Sequence, residues 1–333
     1  MRKPKFIKYG TALVALSFAL VGCSAPAPTP AATEETAEVS QVSDSLKIGL
    51  IMLIGDSYYQ GILEGLTEVA DADGAELITA TSNADPAQEA AAIANMIQAE
   101  VDVIFMEPAA EEASLASMKL IRDAGIVLIC YGNCTGATAD PANVDGSIQS
   151  DNTALGTATG DAAAIYILDN FGDSVSVALL NCDTWLTCKM RKDGFLQALE
   201  AAGITVDIVS DQEAYVIDKA VSVAANILTA NPGVDIFWSA NEGGTAGLVI
   251  GTEGSGKPVF GTDISTQIAE FVLDPEGMMQ VTTGQDPVNT IKGAYEMAKR
   301  LIAGETLAEH SVELPGIVYD RSSPATTEAF LAG

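Results

Sequence analysis

Five cysteines are the residues whose spacing most directly suggests chemistry. Cys23 closes the tetrapeptide Leu20-Val21-Gly22-Cys23, which follows Arg2, Lys3, Lys5 and Lys8 and an apolar run from about Tyr9 to Val21. A basic stretch, a short apolar run and small residues before a cysteine make a secretory signal, here one whose cleavage leaves a lipidated thiol at Cys23. The run falls short of the roughly 20 residues that span a bilayer, so residues 1–22 read as a removable signal and not as a membrane helix. The other four cysteines form two close pairs, Cys130 with Cys134 and Cys182 with Cys188. In the oxidising compartment that a secretory signal implies, two local disulfides are expected, with free buried thiols as the alternative.

The other chemical signals are weak. Gly251-Thr-Glu-Gly-Ser-Gly256-Lys257 fits seven positions of a phosphate-binding loop, but Pro258 stands where Ser or Thr should hold magnesium, and the segment runs from helix to strand. It reads as a Gly-rich turn. Asp71-Ala-Asp73-Gly74 lacks the third ligand and distal Glu of a calcium loop and reads as a helix end. With one histidine in the chain, His310, neither a Ser/His/Asp triad nor a His-built metal site is expected.

Short apolar runs that alternate with helical stretches position these residues. The runs fall at 47–53, 75–80, 101–106, 126–131, 174–182, 204–210, 234–239, 257–261 and 278–284; helical segments include 58–73, 86–99, 111–124, 152–170, 189–202, 217–230 and 287–303. Continuous apolar strands separated by helices predict an α/β chain with parallel sheets covered on both faces. Asp85-Pro86 and Asp286-Pro287 place a capping carboxylate before a first-turn proline, and Gly74, Gly125 and Gly203 sit where a left-handed cap would end a helix. Each cysteine pair straddles a loop after a strand. Ligands of open α/β sheets bind beyond the carboxyl ends of the strands, so polar and aromatic residues just after each run are the candidates for a site.

Residues 24–45 are rich in Pro, Ala, Thr and acid, with no period that could bury a core; with Cys23 they form an expected lipidated tether, 23–45. The remaining 288 residues exceed one core, so two doubly wound lobes are expected. The chain has 16 Lys and Arg against 45 Asp and Glu; setting aside the four basic residues of the signal leaves 12 and a formal charge of −33. Such a surface repels phosphate backbones and excludes nucleic-acid binding. The loop after the first strand, Ile54-Gly-Asp-Ser-Tyr-Tyr59, lacks the Gly-x-Gly-x-x-Gly of a dinucleotide-binding enzyme.

From about Leu46 to Asp320 the chain resembles the type I periplasmic sugar-binding proteins, the ribose, xylose and galactose group that feeds ABC transporters. The segments that carry the resemblance are GDSYYQGILEG, VDVIFMEPA, SDNTALG, RKDGF, TANPGVDIFWSANE, GTD and GQDP, in that order. The resemblance implies two lobes, 46–151 with 286–314 and 152–285 with 315–333, joined by three crossovers and closing on a ligand. It implies that Tyr58 and Tyr59, after Asp56, pack on a sugar's apolar face, with Tyr215 as the stacking aromatic of the second lobe. Arg191, Asn241, Asp263 and Gln285 match the family's ligand-gripping positions. A planar guanidinium and a carboxylate can each hold two neighbouring hydroxyls, and the amides add donors and acceptors without charge.

The chain departs from the family at Gly132 and Asn133, where an Asp-Arg pair is usual, and at Glu107, where Asn is usual. The site is therefore expected to be acidic, and Trp185 is expected to reach the cleft and complete an aromatic wall. The implied function is an extracytoplasmic substrate-binding lipoprotein of an ABC importer. It would be anchored to the cell membrane, monomeric and non-enzymatic, with an ABC permease and its ATPase as partners and a monosaccharide as ligand. It needs no cofactor, and a four-cysteine zinc site would clamp the lobes against reversible binding. The alternatives are a non-sugar ligand (an amine, polyol or nucleoside) or a sensory protein feeding a signalling partner.

Overall fold

A computed structural model describes residues 45–332; the signal, Cys23 and all but the last residue of the tether lie outside the described residues. The chain first lays down β1 (Lys47–Met52), α1 (Ser57–Asp73), β2 (Glu76–Thr81), α2 (Pro86–Gln98), β3 (Val103–Met106), α3 (Glu111–Asp123), β4 (Val127–Tyr131) and β5 (Gly146–Ser150). It then crosses to α4 (Asn152–Asn170), β6 (Ser174–Asn181), α5 (Leu186–Ala201), β7 (Thr205–Glu213), α6 (Ile217–Ala230), β8 (Ile236–Ser239), α7 (Glu242–Gly251), β9 (Val259–Thr262), α8 (Thr266–Leu273) and β10 (Met279–Gly284). It returns with α9 (Pro287–Ile302) and β11 (Ser311–Leu314) and crosses a third time to β12 (Ile317–Asp320) and α10 (Ala325–Ala332).

Two six-stranded sheets result, ordered β11-β5-β4-β3-β1-β2 and β12-β10-β9-β8-β6-β7. All pairings are parallel except β10 with β12. Strands buried on both faces need apolar residues on both. Leu50 of β1 faces a core with Ile62, Leu66 and Tyr295, while its neighbour Ile51 faces Ile93, Met118 and Ile121. The second sheet repeats this, Leu179 and Trp238 toward Phe195 on one face and Leu180 and Phe237 toward Ile227 and Leu248 on the other.

The strand order reverses between β2 and β3 around β1, and between β7 and β8 around β6. Those switch points open a crevice at the carboxyl ends of the strands. The three crossovers lie side by side: the Asp151 N–H donates to the Leu314 carbonyl over 2.9 Å, and Ser150 Oγ donates to Gln285 Oε1 over 3.2 Å.

Helix punctuation is local. Asp85 and Asp286 cap α2 and α9 with proline in the first turn, and Gly74 ends α1 at φ 68°. Asp71–Gly74 is thus a helix end, and 251–258 is the turn from α7 to β9. The sequence reading did not assign β5, β11, β12, α7, α8 or α10. Gly146-Ser-Ile-Gln-Ser150 is buried throughout yet mostly polar, because its side chains bond sideways: Gln149 Oε1 accepts from the Cys134 N–H over 3.2 Å, and its Nε2 donates to Glu313 over 3.3 Å. No helix among the described residues is long and apolar enough to cross a membrane.

Candidate functional site

A cavity of about 100 Å³ lies between the lobes, and the structure brings to its wall all eleven residues that the sequence proposes for a ligand site. From the first lobe come Asp56, Tyr58, Tyr59, Glu107 and Asn133; from the second come Trp185, Arg191, Tyr215, Asn241 and Asp263, with Gln285 at a crossover. Most follow the end of a strand or open the next helix, and Arg191 lies in the second turn of α5, so the strand ends act as a common platform for side chains far apart in sequence.

Arg191 and Asp263 form the polar centre of the second lobe. Both are buried, and Arg191 Nη1 lies 3.3 Å from Asp263 Oδ2. The guanidinium also donates from Nε to Asn152 Oδ1 over 2.8 Å and from Nη1 to the Ala240 carbonyl over 3.0 Å. Asp263 accepts in addition from the Glu242 N–H (3.1 Å) and from Gln285 Nε2 (2.8 Å). Its backbone sits at φ 72°, a left-handed conformation that Asp tolerates better than most residues. Its N–H donates to the Thr283 carbonyl (2.7 Å) and its carbonyl accepts from Thr282 Oγ1 (2.7 Å), which holds it there.

The amides do double duty. Asn241 Oδ1 accepts from the Gly244 N–H as the cap of α7, and its Nδ2 donates to the Tyr215 carbonyl over 2.9 Å, leaving one donor and one lone pair for the cavity. Asn133 Oδ1 accepts from Thr187 Oγ1 over 3.1 Å, a bond that joins the two lobes. Ser57 makes a second such link, its hydroxyl donating to Glu242. Asp56 caps α1 by accepting from the Tyr59 N–H over 3.3 Å.

Aromatic rings wall the cavity from both sides. Trp185 meets Tyr215 edge to face at 4.9 Å and 82°, and Tyr58 meets Tyr59 at 5.1 Å and 87°. Trp185 packs against the apolar cores of both lobes. A disulfide joins Cys182 to Cys188 and brackets the loop that carries Trp185; a second joins Cys130 to Cys134 beside Asn133.

Acids on both sides of the cleft are displaced from their usual titration range. Burial pushes Glu107 up to about 8, with the Tyr59 hydroxyl pulling the other way. Burial also raises Asp56 to about 6, helped by repulsion from Asp263, and Glu242 to about 7. Glu107 fits because residue 132 is glycine: at φ 75° no Cβ is tolerated well, and one would overlap the Glu107 carboxylate.

Sequence reasoning passed over Ser57, Asn152, Thr187 and Glu242. Asn152 and Glu242 lie inside segments that carried the resemblance, but nothing in the chain order says that one orients Arg191 and the other meets Ser57 across the cleft. His310 lies outside the cavity, its Nε2 3.2 Å from the Ala139 carbonyl. Among the described residues no group of three His, Cys, Asp or Glu is arranged to hold a metal.

Comparison with known proteins agrees with this architecture. Residues 48–306 match the family described as periplasmic binding protein domain. The ABC transporter periplasmic-binding protein YphF of Escherichia coli is 28% identical over 285 residues, 83% of this chain and 86% of that protein. The ribose import binding protein RbsB of Salmonella typhimurium is 24% identical over 274 residues, 81% of this chain and 89% of that protein. A crystal structure of an ABC transporter periplasmic solute binding protein from Actinobacillus succinogenes with bound D-allose superposes with a TM-score of 0.75 at 25% identity, covering 85% of this chain and 100% of that one. This chain belongs to the periplasmic binding protein domain family.

Proposed function

We propose that the protein is the extracytoplasmic capture component of an ABC importer, and that it takes a single small polyhydroxylated ring, a monosaccharide in the first instance, between its lobes. The observation that carries this reading is the interlobe cavity, with the Arg191–Asp263 pair in its wall and rings from both lobes around it. Aromatic faces suit the C–H surface of a sugar, and the buried charged pair suits its hydroxyls.

The lobes, 46–151 with 286–314 and 152–285 with 315–333, work as a clamp: a ligand that touches both stabilises the closed form, and the closed form docks on a permease served by its ATPase. The protein acts as a monomer, performs no catalysis and is held at the cell membrane by lipid on Cys23, through the tether 23–45. Titration calorimetry of the mature protein against neutral sugars, polyols, amines and nucleosides tests the reading. Dissociation constants near or below about 1 μM, roughly −8 kcal/mol, are expected for a ring-sized polyol. Binding to nucleosides alone, or to none of the panel, would overturn it.

A further inference from the structure

The cavity wall is short of positive charge. Among the described residues that line it, Asp56, Glu107 and Asp263 carry carboxyl groups, and Arg191 is the one Lys or Arg. Arg191 is already engaged with Asp263, Asn152 and the Ala240 carbonyl. Asp263 has donors from Arg191, Glu242 and Gln285, and Asp56 has the Tyr59 N–H.

Glu107 stands apart. It is 5% exposed, its Oε2 is buried, and that oxygen has no hydrogen-bond partner. The buried hydroxyl of Tyr58 has none either. Both atoms lie against the bare face of Gly132: a Cβ placed there would touch the Glu107 carboxylate and stand 3.3 Å from the Tyr58 hydroxyl. The titratable groups around Glu107 are Asp56, Tyr58, Tyr59, Tyr131, Arg191 and Asp263, of which only Arg191 is cationic.

A buried carboxylate without a countercharge either takes up a proton or receives a cation. Without a cation beside it a proton serves, in line with the upward displacement of Glu107 to about 8 by burial. A hydroxyl from a neutral sugar brings a donor but no charge. An ammonium brings three donors and the missing charge together, enough to satisfy Glu107 Oε2 and the oxygen of Tyr58 at once.

We propose that the natural ligand is a ring-sized polyol bearing a protonated amine, an amino sugar or aminocyclitol, with its ammonium between Glu107, Tyr58 and the backbone of Gly132. Its hydroxyls then meet Arg191 and Asp263, and its ring packs against Trp185. This inference rests on the interlobe clamp described under the proposed function and specifies its ligand class.

The test is titration calorimetry of the mature protein and of Glu107→Gln at about pH 6.5, where sugar-type amines are protonated. The probes are D-glucosamine, D-galactosamine, D-mannosamine and an amino-inositol, each beside its neutral parent and its N-acetyl form. At least one amine is expected to bind roughly 30-fold or more tightly than its parent and its acetylated form; amino sugars and the amino-inositol separate the two sources. Glu107→Gln, which keeps the side-chain volume, is expected to remove most of that preference, with circular dichroism verifying the fold. A neutral parent that binds as tightly as its amine, or a preference that survives in Glu107→Gln, overturns the inference and leaves the clamp reading standing. Failure of every probe, neutral and amine, counts against the clamp reading itself and removes this inference with it.

Discussion

Arg191 and Asp263 show what burial does to two surface-type residues. Each is buried and held by three or more polar partners, so truncating either strips donors or acceptors from the ligand and also leaves the other charge unpaired. Arg191→Ala and Asp263→Ala are each expected to weaken ligand binding by at least about 2 kcal/mol, roughly 30-fold. Calorimetry on variants verified as folded measures this, and unchanged affinity would remove that residue from the site. Trp185 supplies an optical check, because the other tryptophan, Trp238, is fully buried and stacked on Phe195 at 5.1 Å. In a Trp238→Phe protein, ligand is expected to shift Trp185 emission or protect it from quencher; tight binding with neither effect would place the ring outside the ligand's reach.

Two helices set where Arg191 points. α4 and α5 pack closely because small residues face each other: a Cβ on Gly156 would overlap the Arg191 carbonyl, and one on Gly194 would overlap the Thr153 carbonyl. Inside a free helix Gly→Ala stabilises by roughly 1 kcal/mol. At Gly156 the sign is expected to reverse, with a loss of about 1–3 kcal/mol from overpacking and weaker ligand binding as the Arg191 backbone shifts. Chemical denaturation and calorimetry of Gly156→Ala report both effects, and a variant that is more stable with full affinity would show that α4 and α5 do not constrain Arg191.

Closure of the whole molecule is opposed by its own acids. Asp56, Glu107 and Glu242 are raised to about 6, 8 and 7 from ordinary values of 3.8, 4.5 and 4.5, with burial the first cause in each case. Opening the cleft hydrates these groups and returns them toward ordinary values, so the closed form holds its protons more tightly than the open form. The sign follows: closure is favoured below the open-state values and is lost as pH rises through the closed-state ones. The ligand-free protein is therefore expected to open between about pH 5 and about pH 8, read as a rise in radius of gyration by small-angle scattering. Asp56→Asn combined with Glu107→Gln and Glu242→Gln should flatten the profile; an unchanged profile would assign the pH response elsewhere.

The class of the fold was legible because it rests on local physics. Strands buried on both faces must be continuously apolar, as in Val103-Ile-Phe-Met106, and helices between them announce their ends through Asp-Pro and Gly. Residues following those strands were legible as wall-forming candidates for the same reason: the carboxyl ends of parallel strands share one edge. Polar strands such as Gly146–Ser150 and Ser311–Leu314 were not, since their pairing is decided by neighbours across the sheet and not by their own composition. Nor does the chain order reveal that Asn152 orients Arg191, that Asp263 takes a left-handed backbone, or that Glu107 and Tyr58 meet over Gly132. Those are relations between atoms distant in sequence, and only the packing of the two lobes sets which partner each buried polar group finds and which is left without one.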